Sequence, residues 1–71
     1  MYFKGNDLDG NLLLINLDKT LILEAYDSPH DLYGVKFLFT CGKERVCFFK
    51  DEVEREKVLH DLCKSLEILD V

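Results

Sequence analysis

Residues 35–49 hold two runs rich in β-branched and aromatic side chains around a polar centre, and from about residue 51 the apolar spacing changes to the helical one. Val35, Phe37 and Phe39 lead into Thr40-Cys41-Gly42-Lys43-Glu44-Arg45, and Val46 and Phe48 follow, the pattern of a β-hairpin. With Gly42-Lys43 as a two-residue turn, Phe39 faces Val46 and Phe37 faces Phe48, all four on one face. The opposite face then carries Leu38 beside Cys47, Lys36 beside Phe49 and Thr40 beside Arg45. In the helix, Asp51 is the expected N-cap, with Glu54 three residues on completing a capping-box pattern. At roughly 100° per residue, Val58, Leu59, Leu62, Cys63, Leu66 and Leu69 form one stripe, and Lys57, His60, Asp61, Lys64 and Glu67 fall opposite. That stripe is expected to dock on the sheet.

Earlier in the chain, Tyr2 to about Leu8 reads as a strand, and Asp9-Gly10 as a tight hairpin turn. Residues 11–16 form a second strand whose run Leu12-Leu13-Leu14-Ile15 needs cover on both faces. Leu17-Asp18-Lys19 is a short connection, and residues 20–26 form a third strand, apolar on both sides. Asp27-Ser28-Pro29-His30-Asp31 is a loop. The pattern predicts one α+β domain over residues 1–71: an antiparallel β-meander of about five strands (about 2–8, 11–16, 20–26, 35–41 and 44–49) followed by one C-terminal helix, about 51–67, packed on the sheet.

One helix covers one face of such a sheet, whereas the second, third and fifth strands are apolar on both. Either the sheet curls into a barrel or its second face meets another molecule. The expectation is self-association through that face, or contact with another protein. Leu38, Cys47 and Phe49 are the expected contact residues, with Leu13, Leu14 and Ile22 beside them.

Size and charge narrow the functions. A chain of 71 residues buries only about 60% of its unfolded surface, so its core is thin. A net charge of −5 disfavours nucleic acid and anionic membrane, which both demand clustered Lys and Arg. The aromatics Tyr2, Phe3, Tyr26, Tyr33 and Phe49 lack the interleaved basic groove of a single-strand-binding platform. The register above does not pair Cys41 with Cys47, and an odd total of three cysteines suits reduced thiols in the cytoplasm. Met1-Tyr2-Phe3-Lys4-Gly5 turns polar too soon for a secretory signal. The apolar runs are too short to span a bilayer.

Candidate chemistry is sparse. Asn6-Asp7-Leu8-Asp9-Gly10-Asn11 has the look of a calcium loop, but Gly5 stands where the first carboxylate belongs and Asn16 where the bidentate Glu belongs. A plain turn is the simpler reading. His60 and Cys63 are three apart, with no CxxC or HxxxH spacing, so no metal or other cofactor is expected. Nothing brings a cysteine to His30 or His60, and Glu52, Glu54 and Glu56 suit the helix dipole rather than an acid-base pair. A non-enzymatic domain is expected, with a small ligand-binding or regulatory module, its pocket under Leu59 and Leu62, as the alternative.

Leu8-Asp9-Gly10, the corner Asn16-Leu17-Asp18, the Gly42-Lys43 hairpin and the acidic helix start Glu52-Val53 stand in an order that resembles small bacterial flagellar-operon proteins of the swarming-motility type. The three cysteines and the Ser28-Pro29-His30 loop depart from that pattern. Val35 to Leu66, with Glu54-Arg55-Glu56, resembles the last two strands and C-terminal helix of the pleckstrin-homology fold, without its tryptophan, for which Val58-Leu59 stands. That resemblance implies part of a sheet in want of a complement and, with no basic loop, no lipid binding.

Overall fold

The computed structural model describes residues 1–30 and 32–65. Its elements are β1 (Tyr2–Asn6), β2 (Leu12–Asn16), a 3-10 turn (Leu17–Lys19), β3 (Thr20–Asp27), β4 (Tyr33–Phe39), β5 (Glu44–Phe49) and α1 (Glu52–Ser65). The chain is an α+β domain of five antiparallel strands with a C-terminal helix packed on them. The strands do not run on as a single meander. They divide into a two-stranded sheet, β1-β2, and a three-stranded sheet, β3-β4-β5. The division falls at the 3-10 turn, where Asn16 caps the backbone N–H of Asp18 and Leu17 turns inward to 4% exposure, so β2 cannot continue into a pairing with β3. That corner is clamped from two sides. The Leu17 N–H donates to the carbonyl of Met1 at 3.0 Å, and the Thr40 N–H to that of Lys19 at 2.9 Å.

Both hairpins close differently from the tight turns that Asp9-Gly10 and Gly42-Lys43 suggest. In the first, Asp7 and Asn11 close a loop of Leu8, Asp9 and Gly10; in the second, Phe39 and Lys43 close one of Thr40, Cys41 and Gly42. Each has an i to i+3 bond (Gly10 N–H to Asp7, Gly42 N–H to Phe39) and a final glycine with positive φ, 83° and 90°. This is the three-residue loop in which a type I turn is followed by a left-handed residue. Glycine stands there because a side chain in that conformation clashes with the following carbonyl.

The loop sets the register. Val35 pairs with Cys47, Lys36 with Val46, and Phe37 with Arg45. Compared with a turn at Gly42-Lys43, β5 has slid by an odd number of residues, so its faces are exchanged. Cys47 and Phe49 point inward with Val35, Phe37 and Phe39, while Val46 and Phe48 point outward. Ile15, Leu17, Val35, Phe37, Cys47 and Leu62 are the buried core, and Phe3, Leu13, Leu23, Phe39, Phe49, Val58 and Leu59 pack around it. The first hairpin and the helix therefore lie on the same face of the three-stranded sheet. The Phe3 ring stacks on Phe37 at 5.8 Å between centroids.

The helix opens as its sequence predicts. Asp51 Oδ1 accepts from the Glu54 N–H at 2.8 Å. Val58, Leu59 and Leu62 face the core and Cys63 is half-buried; Leu66 and Leu69 lie outside the described residues.

Candidate interaction surface

With both covering elements on one side, the other face of β3-β4-β5 has nothing over it among the described residues. Alternation along the paired strands assigns to that face Ile22, Glu24 and Tyr26 from β3, Gly34, Lys36 and Leu38 from β4, and Glu44, Val46 and Phe48 from β5. Leu38, Val46 and Phe48 are half-buried, and Ile22 is 42% exposed. Gly34 gives the face its relief. A Cβ there would lie 2.9 Å from both the Cys47 carbonyl oxygen and Val46 Cγ1. Because it is absent, Tyr26 and Phe48 meet edge-on across β4, 6.0 Å between centroids. Lys36 Nζ lies 5.6 Å from the Tyr26 ring and 3.9 Å from Glu44 Oε2. The surface is an aromatic ridge beside an aliphatic patch, with one cation between two carboxylates.

The six residues expected to make a contact are thus separated. Leu38 and Ile22 lie together on the open face. Leu14 is exposed, at 66%, but on the outer face of β1-β2, near Tyr2 and Leu12. Leu13 packs on the core, as does Phe49. Cys47 is fully buried, and burial together with the charge of Asp7 pushes its thiol pKa up to about 11. The exchanged faces of β5 explain both inward placements, and they supply Val46 and Phe48 to the open face instead.

The feature that sequence reasoning missed is Arg55, 3% exposed in the first turn of α1. Its Nη1 donates to Asp27 Oδ1 at 2.8 Å and, at longer range, to the carbonyls of Tyr26 (3.3 Å) and Gly34 (3.4 Å). Nε is 2.8 Å from Glu56 Oε1, an ion-pair distance, although the angle does not make it a hydrogen bond. The guanidinium also faces the Tyr33 ring at 5.7 Å. Burial alone would lower its pKa; the hydrogen bond and charge of Asp27, with Glu56, outweigh that and raise it, so the group is always cationic. The available signal was spacing: Arg55 shares the helical arc of Leu59 and Leu62, three and four residues ahead of Val58 and Leu59. It fastens the start of the helix to the β3-β4 corner beneath the open face.

A depression of about 170 Å³ lies between β1 and α1, lined by Phe3, Val58, Asp61, Leu62 and Ser65. It is smaller than the roughly 300–1,000 Å³ of small-molecule sites. Asp7 does not present a free cation ligand: Oδ1 accepts from the N–H groups of Asp9 and Asn11, and Oδ2 from the Asn11 amide. These bonds, those from Asn11 foremost, hold its pKa below the usual carboxylate value. Among the described residues no three His, Cys, Asp or Glu side chains converge as metal ligands. His30 and His60 are both exposed, and all three thiols are free. Among the described residues no helix is long and apolar enough to cross a membrane.

Comparison with protein-family models, with curated proteins and with solved structures finds no match to this chain.

Proposed function

We propose that this chain is a small non-enzymatic protein-protein interaction domain of the cytoplasm that self-associates through the open face of its three-stranded sheet. The observation that carries the reading is the uncovered set Ile22, Leu38, Val46, Phe48 and Tyr26 on one side of a sheet whose other side holds the helix and the first hairpin. Apolar side chains in that number on one flat surface favour a protein partner over water. Lys36 lies between Glu24 on β3 and Glu44 on β5, which lets a second copy answer each charge with its opposite. Such a face is small. Three strands about 4.8 Å apart and about six residues long present roughly 300 Å², well under the about 800 Å² per partner of a standard interface. Association through it alone is accordingly weak.

Leu38→Lys tests the reading. The new ammonium faces Glu44 within its own sheet, so the fold tolerates it, but it breaks the apolar patch. Sedimentation velocity from 10 to 500 µM is expected to show concentration-dependent association of the parent chain and its loss in the variant, with far-UV CD unchanged. A parent chain that stays monomeric throughout refutes the proposal.

A further inference from the structure

We infer that the outer edge of β3 is a second, more directional docking element, and that its occupant is β3 of another copy in antiparallel pairing. The edge is bare among the described residues: β3 pairs only with β4. The direction of its bonding groups follows from the end of the ladder. The Ser28 N–H donates to the Leu32 carbonyl, making that pair a hydrogen-bonded one. Alternation then turns the N–H and C=O of Tyr26, Glu24 and Ile22 toward β4, and those of Asp27, Ala25 and Leu23 away from it. No hydrogen bond reaches the outward groups of Ala25 or Leu23 from any described residue.

Edges of this kind are usually blocked by Lys or Pro or by a bulge. β3, Thr-Leu-Ile-Leu-Glu-Ala-Tyr-Asp, has neither Lys nor Pro; its charges are Glu24 and Asp27, whose opposition to like charge the register must avoid, and its bulge, at Leu21, leaves Ile22 to Asp27 straight. The opposite edge of the sheet is not equivalent, because β1 packs beside β5, with Gly5 against Cys47.

Self-pairing is selected by register. Centred on Glu24, two carboxylates would oppose each other; centred on Leu23, the bulge would enter the ladder. Centred on Ala25, Leu23 pairs with Asp27 of the other copy, and the straight stretch is used whole. Glu24 then opposes the other copy's Tyr26 rather than its Glu24, and behind that ring, one strand further in, stands the cation of Lys36, so each carboxylate faces a positive rather than a negative side of the other copy. The product is a six-stranded sheet with both helices on one side and the two open faces joined on the other. The inference relies on the self-association reading for the identity of the partner, and it supplies the area and the directional bonds that the open face lacks.

Ala25→Pro separates the two. Its lost N–H is one that β4 does not use, so the fold is retained while pairing at the centre of the seam is blocked. Association in sedimentation velocity is expected to weaken about tenfold or more, with native far-UV CD. If Ala25→Pro keeps the parent's association, the edge inference is overturned while the open-face reading stands. If Leu38→Lys associates as the parent does and Ala25→Pro does not, the edge is supported and the face reading fails. Amide hydrogen exchange on the unmodified chain guards against a misfolded variant. Exchange at Leu23 and Ala25 is expected to slow as concentration rises, and rates at those amides that ignore concentration while the chain associates overturn the inference.

Discussion

Replacing Arg55 by alanine is expected to destabilise the domain by about 1 kcal/mol, a value set by burial more than by charge. The Asp27 carboxylate is two-thirds exposed, so its bond with the guanidinium ranks as a surface pair, about 0.2–1 kcal/mol. The carbonyl contacts at 3.3 and 3.4 Å are long and add little. Proximity to the Tyr33 ring contributes about 0.5–1 kcal/mol. The largest single share comes from the side-chain stem, which loses two buried methylenes worth about 0.8 kcal/mol each. Against these stands about 2 kcal/mol of rotamer freedom that the truncated side chain no longer loses. A domain with so thin a core holds only about 3–5 kcal/mol, so the loss is large in proportion. With a urea slope near 1 kcal/mol per molar, the midpoint falls by about 1 M. Arg45→Ala is the control, since Arg45 is exposed and among the described residues bonds only the carbonyl of Glu44; it is expected to cost under about 0.5 kcal/mol. Arg55→Lys keeps the charge and most of the stem and falls between the two. Should Arg55→Ala shift the midpoint no further than Arg45→Ala does, the side chain does not fasten the helix, and the account of that corner is wrong.

Gly5→Ala is expected to cost about 1–3 kcal/mol by overpacking, because the new Cβ meets Cys47 Sγ at 2.8 Å and Phe3 at 3.0 Å. Adding Cys47→Ala recovers part of that loss, and thermal melts of the double-mutant cycle measure the recovery. The Cys47 thiol is expected to resist Ellman's reagent at pH 8 while exposed Cys41 reacts. Its raised folded-state pKa also carries a sign. The contribution to stability is complete below the unfolded thiol pKa of about 9 and is lost as pH climbs toward 11. Cys47→Ala removes this alkaline decline, and urea midpoints across that window report it. Asp7 acts in the opposite sense: its lowered pKa stabilises the folded state above the usual carboxylate value and is lost as pH falls through the folded one. Carboxyl NMR titration of Asp7 in the native chain is expected to give a midpoint below that of the same residue in an unfolded peptide of the same sequence.

Element types were legible because period and caps agree: Asp51 with Glu54 fixed the helix start, and Val35 to Phe39 the central strand. Faces were less legible, since they depend on where a loop closes. Gly42 reads equally as the first residue of a two-residue turn and as the last of a three-residue loop, and the choice moves Cys47 and Phe49 from surface to core. Composition does not separate these options; the positive φ at the third loop position does. The division into two sheets was hidden for a related reason. Leu17-Asp18-Lys19 looks like any short connection, and its effect comes from Leu17 dropping into the core. Arg55 was obscured by its neighbours. A cation between two glutamates on a helix usually denotes a solvated face, and only the fold brings Asp27 and Tyr33 to it.

Gly34 leaves a notch near the start of β4, and the two rings that close over it belong to the outer strands of the sheet. An outward-facing side chain at that position would prise Tyr26 from Phe48 and also press on the backbone oxygen of Cys47, whose sulfur lies on the opposite, inward side. A partner gripping the ridge therefore pushes on the same spot against which the first hairpin rests, and the exterior of the sheet is mechanically continuous with the seat of β1.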